Sequence, residues 1–171
     1  MTSKYVNSYA FIDGNNLHLT LENLEWKLDY KKFRIYLKEK YGVSKAYYFI
    51  GYLEENESVY THLREYGYTV IFKEVLKIVD KETGEVTIKG NVDAELVLQA
   101  MIDLENYRQA VIVSSDGDYS CLVKYLASKQ KFLTVLAPCE EGCSCLLVKS
   151  SRGNIAYVDK LRKILEFKPL K

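Results

Sequence analysis

Apolar and polar positions along the chain fall into two alternating periods. "SYAFID" (8–13) is a short apolar run, and "LDYKKFRIYLKEKYG" (28–42) carries Phe33, Leu37 and Tyr41 at helical spacing, closed by Gly42. A second strand, "SKAYYFIGYL" (44–53), is followed by the helical "EENESVYTHLREYG" ending at Gly67, and "YTVIFKEV" (68–75) reads as a third strand. "LKIVDKETGEVTIKG" (76–90) holds two alternating runs around the turn formers of "DKETGE", which predicts a β-hairpin. "NVDAELVLQAMIDLENY" (91–107) is the clearest helix; the strand "QAVIVSS" (109–115), a helix from Asp118 to about Lys129 and the strand "KFLTVLA" (131–137) come next. The closing segment "CSCLLVKSSRGNIAYVDKLRKILEF" supplies a helix, a short edge strand around Ile155 to Val158 and a terminal helix. No element is read between 14 and 27.

Strands separated by helices predict an α/β fold, a mainly parallel sheet covered on both faces by right-handed crossovers. Composition adds that 171 residues with 48% hydrophobic content suit a single domain, and the sequence shows no repeat, low-complexity tract or linker. The opening "MTSKYVNSYAFID" has no apolar signal-like core, and no apolar run approaches the roughly 20 residues of a membrane span, so a soluble cytoplasmic protein without a membrane partner is expected. With 24 Lys and Arg against 23 Asp and Glu, the net charge of +1 gives no whole-molecule field to gather a polyanion, which must then be held locally. A monomer and a homo-oligomer are both compatible with this composition.

Ligands of such sheets sit at the carboxyl ends of the strands, which makes the placement of acids informative. Asp13 ends the first strand in "FIDGNN", and Asp116 ends the fourth in "VIVSSDGDYSCLVKYL". Two further acids open helices. Asp93 lies in line with Val97 and Ala100, and Asp118 with Leu122 and Tyr125, so both are expected at the first turn of a buried stripe, pointing across the end of the sheet. Glu95 is expected to face solvent and Asp103 to lie on the flank. Gly117 is expected to let the chain turn so that Asp116 and Asp118 face one pocket. Each acid alone could be an ordinary cap or dipole-favoured residue, but that does not account for all these positions being filled together.

Four carboxylates about 5 Å apart repel by roughly 3 kcal/mol per pair at an effective dielectric of 20. Either some are protonated or a hard divalent cation sits among them, and oxygen-only ligands select Mg²⁺ or Mn²⁺ over Zn²⁺. His18 and His62 lack partners at ligand spacing and are read as structural or solvated. Cys139, Cys143 and Cys145 are clustered but lack a nearby fourth ligand, and Cys121 is expected to face the core of its helix.

"FIDGNNL", "KGNVDAELVLQAM" and "VSSDGDYSCLVKYL", in this order across nearly the whole chain, resemble the NYN domain, a PIN-like group of metal-dependent ribonucleases, and the bacterial LabA-like branch within it. The resemblance implies a three-layer α/β/α PIN-like fold with a small β-hairpin insertion. It also implies an acidic pocket that holds Mg²⁺ or Mn²⁺ through Asp13, Asp93, Asp116 and Asp118, with single-stranded or structured RNA as partner. Asn15 and Ser114 match polar positions of the motifs. Together with Ser115 they are candidates to orient ligand oxygens, and Lys89 is a candidate phosphate contact. Two readings follow, a metal-dependent endoribonuclease and an idle module of the same fold that binds RNA or a protein. A phosphotransfer receiver wants an acidic pair after its first strand, and a haloacid-dehalogenase-like phosphatase wants Asp-x-Asp there. "FIDGNN", with Asn15 in the second place, fits neither.

Overall fold

The computed structural model describes residues 7–169. Its six-stranded sheet is built from β1 (Ser8–Asp13), β2 (Val43–Gly51), β3 (Tyr68–Lys73), β6 (Gln109–Val113), β7 (Phe132–Ala137) and β8 (Ile155–Tyr157), while β4 (Leu76–Val79) and β5 (Val86–Lys89) form a separate antiparallel hairpin. The order is β3-β2-β1-β6-β7-β8 and every pairing in the large sheet is parallel. The chain winds outward from β1 through β2 to β3, then returns to the other side of β1 and winds outward through β6 to β8. The two directions part between β1 and β6, at the crevice where a doubly wound sheet places its ligand.

Strand β1 shows why the sheet needs two covering layers. Its side chains alternate between faces: Ala10 and Ile12 join one buried cluster with Tyr48, Val111 and Val113, whereas Phe11 joins the other with Tyr47, Phe49 and Ile112. Helices α1 (Gly14–Asn23), α2 (Tyr30–Tyr41), α3 (Glu57–Glu65) and α7 (Arg162–Leu165) seal the first cluster through Leu17, Leu21, Phe33, Leu37, Leu63 and Leu165. Helices α4 (Asp93–Ile102), α5 (Ser120–Ser128) and α6 (Cys145–Ser151) seal the second through Leu96, Ala100, Leu122, Leu126 and Leu147. These are the three α/β/α layers expected from the alternating pattern. No helix among the described residues is long and apolar enough to cross a membrane.

Helix starts and stops follow local chemistry. Asp29 caps α2 by accepting from the Lys32 N–H, and Gly42 ends it in the left-handed conformation at φ 64°. The sequence pattern does not show α1, which starts directly from the end of β1 with Asp13 as its cap, accepting from the Asn16 N–H at 3.0 Å. Gly14 is needed at this junction because a Cβ there would stand 2.3 Å from the Tyr48 ring and 2.7 Å from the Phe49 carbonyl.

Several side chains depart from the sequence expectation. The helix expected from Asp118 begins instead with a 3-10 turn, Gly117–Tyr119, followed by α5. Asp118 is exposed, Tyr119, in line with Leu122, Val123 and Leu126, takes the buried place expected for it, and Tyr125 is 41% exposed. Cys121, expected to face the core, is exposed as well, because Leu122, Val123 and Leu126 form the buried stripe of α5. Glu95 is half-buried rather than solvated and pairs with Lys73 at the end of β3, and Asp103 is buried rather than on the flank.

Candidate metal centre

Three of the four expected acids converge at the crevice between β1 and β6. Asp93 arrives at the first residue of α4, whereas Asp116 and Asp118 flank Gly117 on the turn that links β6 to α5. One carboxylate oxygen from each lies within 4.8 Å of the other two, with Asp93 and Asp116 half-buried and Asp118 exposed. Asp13 stands outside this trio yet lines the same cavity of about 190 Å³ with Asn15, Asn16, Asn91, Val92, Asp93 and Asp116.

Local backbone geometry sets each acid. Asp116 accepts the Asp118 N–H at 2.9 Å, which folds the two carboxylates onto one turn, and its own N–H donates to Ser114 Oγ at 3.1 Å. Asn91 steadies Asp93 twice: its Oδ1 accepts the Asp93 N–H and its Nδ2 donates to Asp93 Oδ2, both at 2.8 Å. Gly117 keeps to ordinary backbone angles, which corrects the expectation that it serves the turn itself. Space is the reason for it: a Cβ there would stand 2.4 Å from Ser144 Oγ, and the same loop is tied down by the Ser144 N–H donating to the Ser115 carbonyl at 3.0 Å.

Of the supporting residues, Ser114 is fully buried and acts on the Asp116 backbone. Ser115 donates both its N–H and its hydroxyl to Asn16 Oδ1, at 2.9 and 3.0 Å, which bolts the β6 end to the start of α1. Asn15 lines the cavity and donates to the Gly90 carbonyl at 3.0 Å, anchoring the segment that carries Asn91 and Asp93. The Lys89 side chain lies outside the described ones. Sequence reasoning missed Asn16, Asn91 and Tyr119. Tyr119 is fully buried, and its hydroxyl reaches Asp93 Oδ1 at 2.7 Å and Asp13 Oδ2 at 3.1 Å.

Burial is the main cause that pushes the Asp13 carboxyl up from 3.8 to about 6. The Asn16 N–H and Tyr119 hydroxyl oppose the rise, and the charges of Asp93 and Asp116 add to it. Tyr119 is pushed up as well, by burial first and then by the two adjacent carboxylates, so it stays protonated and donates. The trio supplies only oxygen donors, two from one turn and one from a separate helix. Such a set fits a hard divalent cation, Mg²⁺ or Mn²⁺, held by Asp93, Asp116 and Asp118. Among the described residues no group of three Cys or His side chains comes together in this way. His18 stands exposed beside Glu22, and exposed His62 stacks on Tyr66.

The comparisons agree with this architecture. The family model of the NYN domain matches residues 8–157. The chain is 27% identical over 161 residues to the low amplitude and bright protein LabA of Synechococcus elongatus, covering 91% of this chain and 86% of that protein. A crystal structure of a protein of unknown function from Vibrio parahaemolyticus superposes with a TM-score of 0.75 at 23% identity, over 98% of this chain and all of the other, which shows the shared fold. Matched over most of its length, from the start of β1 to the end of β8, the chain belongs to the NYN domain family of the PIN-like superfamily.

Proposed function

We propose that the chain is an endoribonuclease that hydrolyses RNA phosphodiester bonds with Mg²⁺ or Mn²⁺ held by Asp93, Asp116 and Asp118. The observation that carries this reading is the convergence of the three carboxylate oxygens within 4.8 Å at the crevice of a nuclease-type fold. When bound, such an ion makes a water more acidic and stabilises charge on phosphoryl oxygens.

The chain's own residues supply the rest. Asp116 and Asp118, set by their shared turn, and Asp93, steadied by Asn91, would hold the ion. Asn15 can donate its second amide hydrogen to a phosphate oxygen while the first holds Gly90. Ser114 and Ser115 act on the backbone that carries Asp116 and Asn16 rather than on substrate. Asp13, neutral in part near pH 6, can hold a proton close to the reacting groups.

Incubating the purified protein with labelled RNA and with single-stranded DNA, in Mg²⁺, Mn²⁺ or EDTA, tests the proposal. Cleavage of RNA that EDTA abolishes is expected. A preparation that binds RNA but cleaves neither polymer with either metal would move the reading to a binding module, and cleavage that survives both EDTA and Asp116→Asn would reveal a contaminating nuclease.

A further inference from the structure

Tyr119 has a place at the metal centre that its residue type does not announce. The ring packs in the second core with Leu96, Val123 and Leu147, fully buried, so the fold would accept a phenylalanine there. The hydroxyl is a different matter. It sits 2.7 Å from Asp93 Oδ1 and 3.1 Å from Asp13 Oδ2, with a single proton between two carboxylates that come from different elements.

The other partners of those two acids give this contact its meaning. Asp13 Oδ1 accepts the Asn16 N–H at 3.0 Å, and Asp93 Oδ2 accepts from Asn91 at 2.8 Å. Three donor hydrogens thus serve four oxygens, the Tyr119 proton being shared, and each oxygen keeps lone-pair capacity to spare. Asp93 is pinned at both ends, by Asn91 on one oxygen and Tyr119 on the other, which fixes its plane without exhausting it as a ligand. Asp13 lies outside the trio and meets Asp93 through the Tyr119 hydroxyl.

We propose that Tyr119 is a positioning residue of the metal centre, its hydroxyl tying Asp13 to Asp93 so that Asp93 presents a fixed oxygen to the divalent ion alongside Asp116 and Asp118. The proposal rests on the reading that an ion binds there. The start of α5 delivers the hydroxyl: Tyr119 lies one turn before Leu122 and Val123 on the buried stripe of that helix, with Asp116 capping the 3-10 turn and Gly117 pressed against Ser144.

Mn²⁺ binding, followed by the paramagnetic resonance signal of free Mn²⁺, tests it on the full chain without reference to activity. Tyr119→Phe keeps the ring and removes the hydroxyl, and is expected to weaken Mn²⁺ binding by about tenfold, the lower end of what losing a ligand-orienting partner costs. Asp13→Ala breaks the same link from its other end. The double variant should bind no more weakly than the worse single one, because both changes remove one connection. Wild-type affinity in Tyr119→Phe would reduce the hydroxyl to a core group, and losses that multiply in the double variant would show that Asp13 and Tyr119 act separately; either overturns the proposal. Should Tyr119→Phe fail to fold, Asp13→Ala alone carries the test, and unchanged affinity overturns it. A wild type that binds no Mn²⁺ overturns the metal reading itself and this inference with it, a result distinct from the others.

Discussion

The two ends of α4 place an aspartate and a tyrosine hydroxyl together in different ways. At the C-terminal end Asp103 is 7% exposed, and its carboxylate accepts from the Tyr47 hydroxyl, Gln99 and Asn106. Burial pushes that carboxyl up, but the three donors, with the charge of Lys45, outweigh it and hold Asp103 below the ordinary carboxylate range. At the N-terminal end one Tyr119 proton serves both Asp13 and Asp93, with Asp116 and Asp118 close by, and Asp13 is pushed up to about 6. Burial pushes both aspartates up, and the supply of donors decides how far it is offset: three donors hold Asp103 down, whereas the donors of Asp13 do not outweigh its burial. On the proposed reading, a cation would balance the acids at the N-terminal end.

The largest expected effect comes from breaking the ligand end. Asp116→Asn should cut metal-dependent RNA cleavage by about a hundredfold or more, while Asp103→Asn leaves cleavage per folded molecule within a few fold. Equal losses in both variants, measured on material with matching circular dichroism, would erase the distinction between the two ends.

Acid titration of the metal-free protein should reveal the burial of Asp13. Since Asp13 titrates at about 6 in the fold and near 3.8 when unfolded, the folded state binds the extra proton in between. Its favourable contribution is complete below pH 3.8 and is lost as pH rises towards about 6, amounting to about 3 kcal/mol. Asp13→Asn should remove this slope from a series of urea melts, and saturating Mn²⁺ should counter the loss by favouring the ionised trio. A slope that persists in Asp13→Asn would assign it to another group.

The same amide substitution should have opposite signs at the two ends. Asp103→Asn turns an amide towards groups that donate, and is expected to cost about 2 kcal/mol, a fall of several degrees in the thermal midpoint. Asp118→Asn, at an exposed carboxylate, relieves repulsion and should leave the metal-free protein as stable or more stable while weakening Mn²⁺ binding. Loss of folding with and without Mn²⁺ would make that acid structural after all.

The fold was legible because its signal is repeated: short apolar runs, such as 110–113, separated by helices with buried i, i+4 pairs, leave little freedom in layer order. Helix α1 escaped because Leu17, Leu19 and Leu21 alternate as a strand would, yet only Leu17 and Leu21 are buried and Leu19 is 56% exposed. The acids of the trio were legible by type and by their place at strand ends and helix starts. What the reading missed was phase: it put Asp118 on the buried stripe with Leu122 and Tyr125, whereas the stripe runs through Tyr119, Leu122, Val123 and Leu126, one helical face, and Asp118 beside it is exposed. Asn16 was hidden because its bonds to Ser115 depend on the path of the chain, whereas Asn91, two residues before Asp93, has the spacing of an Asx turn that could have been read.

The smallest effect expected, and the one that most sharpens the contrast, is that of Asn15→Ala. Asn15 bears no charge, and its bond to the Gly90 carbonyl holds the segment entering α4 rather than an acid itself. Its removal leaves Asp93 with both the Asn91 and the Tyr119 contacts, so Mn²⁺ affinity should fall by no more than a few fold. Cleavage should fall further than affinity, about tenfold, because the free hydrogen of the same amide is the one placed to meet substrate in the cavity that Asn15 lines. Measuring both on one preparation separates the roles: a loss of affinity as large as the loss of cleavage would make Asn15 a second anchor of the α4 start, and unchanged cleavage would remove it from substrate contact, leaving the acids and Tyr119 as the working set.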